Sequence, residues 1–267
     1  MASSRVRGLP GPRNRRDMIS YRDMGGHAKR RVTDRAAIDY RRALEVQESL
    51  VRLRQQDELP DLLWLLEHPP TITFGSSGGP DHLLASLEDL AAGGVSVHAT
   101  GRGGDVTCHE PGQLVGYPVV RLAEPLRDRD IHVYLRRLED ALIVSLAELG
   151  LTAGRIGGRT GVWLGEPPRK IIAIGVRCSR WVTSHGFALN VENELAGFRN
   201  IVPCGIADAG VTSLAKELDA ADLPGWDELG RLLHRSLETA LGRKLELVRA
   251  AEAFDLLSRF DPTREGA

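Results

Sequence analysis

The sequence predicts an α+β fold in which a mixed or antiparallel sheet is flanked by helices. Leu62–Leu66 is a continuous apolar run typical of a buried strand, and Thr71–Phe74 is rich in β-branched residues. From Arg129 to Gly150, apolar side chains recur every three or four positions, which predicts an amphipathic helix ended by the glycine. Because strands and helices do not follow a strict βαβ alternation, the pattern indicates an α+β architecture.

The remaining elements are assigned from the same periodicities. Asp34 is the predicted N-cap of a helix whose face carries Ala37, Tyr40, Leu44, Gln47 and Val51. A short helix is predicted over residues 81–92. Further strands are predicted at Val95–Thr100, Leu114–Val120, Gly161–Leu164, Lys170–Arg177, His185–Val191 and Leu245–Val248, and further helices near 226–242 and 251–258.

The chain divides into a leader, one main unit and a short C-terminal segment. Residues 1–33 carry nine Lys/Arg against two Asp with little periodicity, which predicts a disordered basic leader. A transit peptide and a start site placed too far upstream are the two alternatives for this leader. We predict the main domain over residues 34–249, and a C-terminal helix and tail over 250–267.

Composition excludes several classes of protein. Charged residues make up 27% and hydrophobic residues 42% of the chain, and the net charge of −1 gives no reason to expect nucleic-acid binding. No apolar run approaches the roughly 18 residues that a membrane span requires, so no membrane association is expected. Three cysteines are too few and odd in number for a disulfide framework. A cytoplasmic protein is therefore expected.

Two residues stand out for their chemistry. Cys204 lies between a proline and a glycine, a turn that holds a side chain out of a core, although most unpaired cysteines are small buried hydrophobes. Lys170 opens an apolar strand and is one of only four lysines among 35 basic residues. Only lysine readily gives up its proton when buried, although a solvated lysine at a strand edge is the simpler interpretation.

A glycine-rich segment, Arg102–Gln113, follows one of the predicted strands. Its glycines allow backbone N–H groups to approach an oxyanion or a carbonyl, and it also holds His109 and Gln113. The alternative is a glycine-rich hairpin with a surface histidine. The glycine spacing fits neither a Walker A loop nor a dinucleotide fingerprint. A second candidate part of the site is the His185-Gly186 corner. The alternative is that His185 has a purely structural role.

Four strings in a fixed order resemble a known family. They are Arg102-Gly-Gly…Thr107-x-His109-x-Pro-Gly-Gln113-Leu-Val-Gly-Tyr-Pro118, Lys170…Ala173-Ile174-Gly175, His185-Gly-x-Ala-Leu-Asn190 and Pro203-Cys204-Gly205. They closely resemble the octanoyltransferases of lipoate biosynthesis (lipoyl/octanoyl-acyl carrier protein:protein transferases) over about residues 35–220. The resemblance implies the α+β fold of the biotin and lipoate protein ligase catalytic domains.

The resemblance also implies a reaction and a site. It implies Cys204 as nucleophile and Lys170 as its partner, with transfer of an octanoyl or lipoyl group from octanoyl-acyl carrier protein to a lysine of an acceptor, without ATP, cofactor or metal. The implied acceptors are the lipoyl domains of 2-oxoacid dehydrogenase E2 subunits and the glycine cleavage H protein. The implied substrate-binding residues are Arg102, Gly103, Gly104, Asp105, Val106, Thr107, Cys108, His109, Ala173, Ile174, Gly175, Gly186, Phe187 and Ala188. The implied supporting residues are Gln113, His185 and Asn190.

Three positions depart from the family pattern. Cys108 replaces a usual aromatic residue and is a possible second thiol, whereas Cys178 is expected to be inert. Glu110 replaces a usual glycine and would be strained if that position required a positive φ. Phe187 replaces a frequent leucine. Two other functions remain open: an ATP-dependent lipoate or biotin ligase, although neither of their glycine-rich strings is present, and a catalytically lapsed binding protein on the same fold.

Overall fold

The computed structural model describes residues 37–122, 130–202 and 210–260. The described residues form six α-helices, with 3-10 turns at Pro80–His82 and Gly197–Asn200. The helices are α1 (Tyr40–Gln55), α2 (Leu87–Ala92), α3 (Ile131–Glu148), α4 (Leu214–Glu217), α5 (Trp226–Leu241) and α6 (Glu252–Ser258). None of these helices is long and apolar enough to cross a bilayer.

The strands of the described residues form two sheets, one large and one small. The strands are β1 (Leu62–Leu66), β2 (Thr71–Phe74), β3 (Ser96–Ala99), β4 (Val106–His109), β5 (Gln113–Val119), β6 (Ala153–Ile156), β7 (Arg159–Leu164), β8 (Arg169–Ser179), β9 (Val182–Asn190), β10 (Gly210–Val211) and β11 (Glu246–Arg249). The large sheet has the order β11-β1-β5-β9-β8-β7-β6, with β10 added beside β8, and the small sheet has the order β3-β2-β4. Most neighbouring strands are antiparallel, while β1–β11, β8–β10 and β2–β3 are parallel. The predicted α+β class is therefore confirmed.

Helices cover both faces of the large sheet. Leu142 of α3 and Leu237 of α5 pack with Ile172 of β8 in one core, and the residues of α1 and α6 pack with Trp64 of β1 in a second core on the other face. Alternating side chains of a strand point to opposite faces. Strand β9 therefore contributes Phe187 to the first core and the next residue, Ala188, to the second. A third, smaller core lies between the small sheet and α2.

Helix α6 belongs to this packing although it follows the predicted main domain. Its residues Ala253 and Leu256 are buried and lie in the core that includes α1. The predicted leader, residues 1–33, lies outside the described residues.

Several element boundaries differ from the prediction. Helix α1 begins at Tyr40, because the Asp39 side chain accepts the N–H of Arg42 at 3.1 Å and caps it; Asp34 lies outside the described residues. The glycine-rich segment contains strand β4, which pairs antiparallel with β2. The predicted helix over 81–92 is a 3-10 turn followed by the shorter α2. Strands β6 and β10 and helix α4 are additional elements.

Candidate active site

A cavity of about 460 Å³ opens where the glycine-rich segment crosses the middle of β8 and β9. Most of the predicted site residues line it: Arg102, Gly104, Asp105, Val106, Thr107, His109, Lys170, Ala173, Ile174, Gly175, His185, Gly186, Phe187 and Ala188. The wall also includes Tyr40, Tyr117, Arg159, Trp163 and Phe198, none of which was predicted as a site residue. These aromatic and basic side chains come from distant parts of the chain. Tyr117 lies within the motif that ends at Pro118, whereas no local motif marks the other four.

Four predicted residues lie outside the cavity wall. Gln113 and Asn190 are buried behind it and are hydrogen-bonded to each other at 2.9 Å, which fits a supporting position. Gly103 donates its N–H to the carbonyl of Val176 at 2.8 Å and so ties the glycine-rich segment to β8. Cys108 was grouped with the substrate-binding residues, but its side chain is packed in the small core and does not line the cavity.

Glycines allow the backbones to approach closely around the cavity. A Cβ atom on Gly186 would lie 2.2 Å from the carbonyl oxygen of Gly116, and one on Gly175 would lie 2.8 Å from that of Gly103. Real Cβ contacts are never this short, so a side chain at either position requires backbone movement. The glycines of the predicted motifs are therefore needed for strand packing and cavity shape together.

Lys170 lies in β8 at the wall of the cavity. Its side chain is only 8% exposed, and its Nζ atom lies 4.6 Å from the centroid of the Trp163 ring, within cation–π distance. Gly161 lies beside this side chain: a Cβ there would make an ordinary contact with Lys170 Cε at 3.4 Å, but it would clash with the carbonyl oxygen of Ile172 at 2.7 Å. The lysine is thus held in a partly apolar environment instead of projecting into solvent.

The Cys204 segment lies between two described anchors. Cys204, Pro203 and Gly205 lie outside the described residues. On one side, Val202 donates its N–H to the carbonyl of His82 at 2.9 Å. On the other side, Gly210 and Val211 line the cavity and pair with Arg169 and Lys170 of β8.

The two described thiols lack the properties of a nucleophile. Cys108 is 1% exposed, and burial, followed by the nearby Glu110 carboxylate, holds its pKa far above the ordinary range of a thiol. Burial also raises the pKa of Cys178. Because the thiolate is the reactive form, neither residue is suited to attack a thioester at neutral pH.

A cluster of imidazole and tyrosine rings lies behind the cavity. His68 donates its Nδ1–H to the carbonyl of Ile38, and its Nε2 accepts the hydroxyl of Tyr117, both at 2.7 Å. Tyr40 stacks on His109 with ring centroids 5.7 Å apart. His109 in turn donates its Nδ1–H to Gln113 Oε1 at 2.8 Å. These bonds fix the neutral tautomers of His68 and His109.

The electrostatics of this cluster keep its rings uncharged. Burial lowers the pKa of His68 to about 4 and that of His109 well below its usual value. Burial and the Arg102 guanidinium lower the pKa of His185 to about 4, and burial raises the pKa of Tyr40 to about 12. Arg102 is itself buried and donates to the carbonyl of Thr73 at 2.6 Å.

Acid is expected to destabilise the fold through these histidines. The unfolded chain takes up a proton on each histidine below about pH 6.5, whereas His68 and His185 remain neutral in the fold until about pH 4. The contribution of these two histidines to stability is therefore fully present above about pH 6.5. As the pH drops toward 4, the free energy of unfolding falls by about 1.4 kcal/mol per pH unit for each histidine. Urea unfolding at pH 7.5 and pH 5 measures this loss.

Two variants test which histidines are responsible. His68→Gln is expected to reduce the pH dependence of stability, whereas His132→Gln, on the exposed surface of α3, is expected to leave it unchanged. Equal slopes of stability against pH in both variants would contradict the assignment.

Comparison with known proteins identifies relatives of this chain. Residues 39–230 match the family model described as "Lipoyl protein ligase A/B catalytic domain". The chain is 52% identical over 200 residues to an octanoyltransferase of Solibacter usitatus, covering 74% of this chain and 86% of the relative. It is 51% identical over 185 residues to an octanoyltransferase of Chloroflexus aggregans, covering 69% of this chain and 83% of the relative.

Solved structures confirm the predicted fold. A bipartite lipoate protein ligase from Thermoplasma acidophilum superposes with a TM-score of 0.62 at 19% identity, covering 82% of this chain and 85% of that one. A lipoate-protein ligase A bound with ATP superposes with a TM-score of 0.63 at 20% identity, covering 81% and 87%. The family model spans most of the chain and close relatives share half of its residues over that region. This chain therefore belongs to the lipoyl protein ligase A/B catalytic domain family.

Proposed function

We propose that this protein is an octanoyltransferase that moves an octanoyl group from octanoyl-acyl carrier protein to a specific lysine of a lipoyl domain, without ATP. The acceptors we propose are the lipoyl domains of 2-oxoacid dehydrogenase E2 subunits and the glycine cleavage H protein. The catalytic unit of this proposal is residues 34–249, which contains the family match over 39–230. The sparse cysteines support a cytoplasmic reaction.

The position of Lys170 carries the proposal. Its buried amine lies at the wall of the cavity, and the strand that pairs beside it, β10, begins six residues after Cys204. A nearby ammonium stabilises a thiolate and lowers the thiol pKa from its usual value of about 8.5. Because both other cysteines are unsuited to attack a thioester, Cys204 is the nucleophile of this proposal.

The reaction proceeds in two acyl transfers. In the first, the Cys204 thiolate attacks the thioester carbonyl, and the carrier's thiolate leaves and takes the proton of the Lys170 ammonium. In the second, the acceptor lysine attacks the acyl-enzyme as a neutral amine, the Cys204 thiolate leaves, and Lys170 takes the proton that the new amide loses. The first exchange conserves a thioester, and the second forms a more stable amide, so ATP is not needed.

The cavity suits an eight-carbon acyl chain. Its wall includes Val115, Ala173, Ile174 and Ala188, which are apolar, together with polar residues such as Arg102 and Lys170. Ligand sites commonly combine an apolar wall with a few polar groups that fix the orientation of the ligand.

Phe187 is expected to limit the length of the acyl chain. It is 2% exposed, lines the cavity and lies over Gly116, where a Cβ would be 2.3 Å from the phenyl Cζ. Phe187→Leu should enlarge the cavity and raise the kcat/KM for decanoyl relative to octanoyl carrier protein by about tenfold, since one or two methylenes carry that much discrimination. Phe254→Leu, in the core beside α1, makes the same exchange away from the cavity and should leave the ratio unchanged. An unchanged ratio in Phe187→Leu would show that the chain ends elsewhere.

Intact-mass analysis of the protein with octanoyl-acyl carrier protein tests the proposed function. We expect an octanoyl adduct without ATP, mapped by peptide analysis to Cys204 and discharged when an apo lipoyl domain is added. Product formation only from free octanoate and ATP would instead indicate a ligase. Carrier binding without any adduct would indicate a binding protein on this fold.

A further inference from the structure

A buried carboxylate joins the turn between β4 and β5 to the Gly197–Asn200 turn. Glu110 is 8% exposed. Its Oε2 atom accepts the backbone N–H of Gly197 at 3.0 Å, and its Oε1 atom accepts the side-chain amide of Asn193 at 2.9 Å. A buried carboxylate without donors is costly, whereas hydrogen bonds to an ionised acceptor are among the strongest in proteins. These two bonds therefore fix the position of the turn.

Glu110 adopts this position without the backbone strain considered from the sequence. The residue with a positive φ in this region is Gly112, at 87°, and Glu110 does not share that conformation. The glutamate that replaces a usual glycine thus contributes its side chain at no conformational cost to the backbone.

The carboxylate is also connected to the cavity. Asn193 donates to Asn190 Oδ1 at 3.1 Å, and Gln113 donates to the same oxygen at 2.9 Å. Gln113 accepts from His109, which lines the cavity. A continuous set of buried hydrogen bonds therefore runs from Glu110 to the cavity wall.

The turn held by Glu110 supplies another part of that wall. Gly197 lies directly on β4, since a Cβ there would be 2.2 Å from Cys108 Sγ and 3.1 Å from Glu110 Oε2. The next residue, Phe198, is 7% exposed and lines the cavity. The chain then runs through Val202 toward Cys204.

We propose that Glu110 is a positioning residue for acyl-chain recognition: its carboxylate fixes the Gly197–Asn200 turn and thereby holds Phe198 as a wall of the cavity. This inference rests on the proposed octanoyl transfer. Loss of the carboxylate frees the turn, so the cavity discriminates less between acyl chains of different length. Lys170 lies on β8, a different element from this turn, so the loss is expected to act on chain-length preference.

The test compares Glu110→Ala and Glu110→Gln with a control, Glu194→Ala, which removes an exposed carboxylate near the same turn. The kcat/KM is measured with hexanoyl, octanoyl and decanoyl carrier protein, and thermal unfolding is measured in parallel. Glu110→Ala should reduce the preference for octanoyl by about tenfold. Glu110→Gln should have a smaller effect, because its amide oxygen still accepts from Gly197 while its NH₂ group opposes that of Asn193. Glu194→Ala should retain the wild-type ratio.

The outcomes separate this inference from the proposed function. A folded Glu110→Ala variant with the wild-type ratio of rates overturns the positioning role, because a residue needed only for stability would lower the unfolding temperature without altering preference. If Glu110→Ala does not fold, an unchanged ratio in Glu110→Gln overturns it instead. Failure of the wild-type protein to transfer octanoyl at all refutes the proposed function itself.

Discussion

Lys170→Arg is expected to retain part of the acylation of Cys204 but to lose transfer to the acceptor by at least about 100-fold. An arginine side chain keeps a positive charge beside the thiolate, but it does not give up a proton at any working pH. Removal of a general base typically costs between about 10² and 10⁴ in rate. Rapid-quench intact-mass analysis measures the two half-reactions separately, first with octanoyl carrier protein and then after addition of a lipoyl domain.

Two further variants control this result. Lys216→Arg makes the same exchange on the exposed surface of α4 and should leave both half-reactions unchanged. Lys170→Met removes charge and base together and should slow both. Because Lys170 is packed against Trp163 and Gly161, thermal unfolding verifies that the bulkier guanidinium is accommodated. Equal loss of both half-reactions in a folded Lys170→Arg protein would contradict the division of roles.

Gly186→Ala is expected to lower the free energy of unfolding by about 3 kcal/mol, the upper part of the range for an overpacked core. The new Cβ would lie 2.2 Å from the carbonyl oxygen of Gly116 and 2.6 Å from Pro118 Cδ. Neither a backbone carbonyl nor a proline ring can rotate away as a flexible side chain does, so β5 and β9 must separate. Urea unfolding at pH 7.5 measures the loss.

Gly154→Ala provides the matched control in strand β6. A Cβ at Gly154 would have nothing within 4 Å, and its φ is in the ordinary range. The substitution should change stability by less than about 0.5 kcal/mol, as is usual for a surface change without new contacts. Equal effects in the two variants would show that the close approach of β5 and β9 is not what Gly186 provides.

The elements with the clearest periodicity were predicted well from the sequence. The apolar run of β1 was assigned with its observed bounds, and the leucine stripe of α3 was assigned within two residues of them. Burial on one face of an element leaves a regular pattern in the residues, so these elements are readable without tertiary information. Strand β4 was not readable, because its pairing with β2 overrides the glycines, the proline and the histidine around it.

Part of the site could also be predicted from the sequence. Ordered motifs marked the glycine-rich segment, β8 and β9, and their residues line one cavity. The rest of that wall, including Tyr40, Trp163 and Phe198, comes from elements whose local sequences carry no sign of chemistry. The hydrogen bonds of Glu110 join residues 83 and 87 positions apart, so only the folded chain brings them together.

The sequence by itself predicted the fold class and the family, since residue type and spacing are local properties, and its resemblance to the octanoyltransferases supplied Lys170 and Cys204 as the proposed catalytic pair. Only the tertiary structure decided which rings surround the cavity, that Cys108 faces a different core, and what Glu110 holds. Those facts depend on strand register and on the face to which each side chain turns, and register is set by packing across the whole sheet.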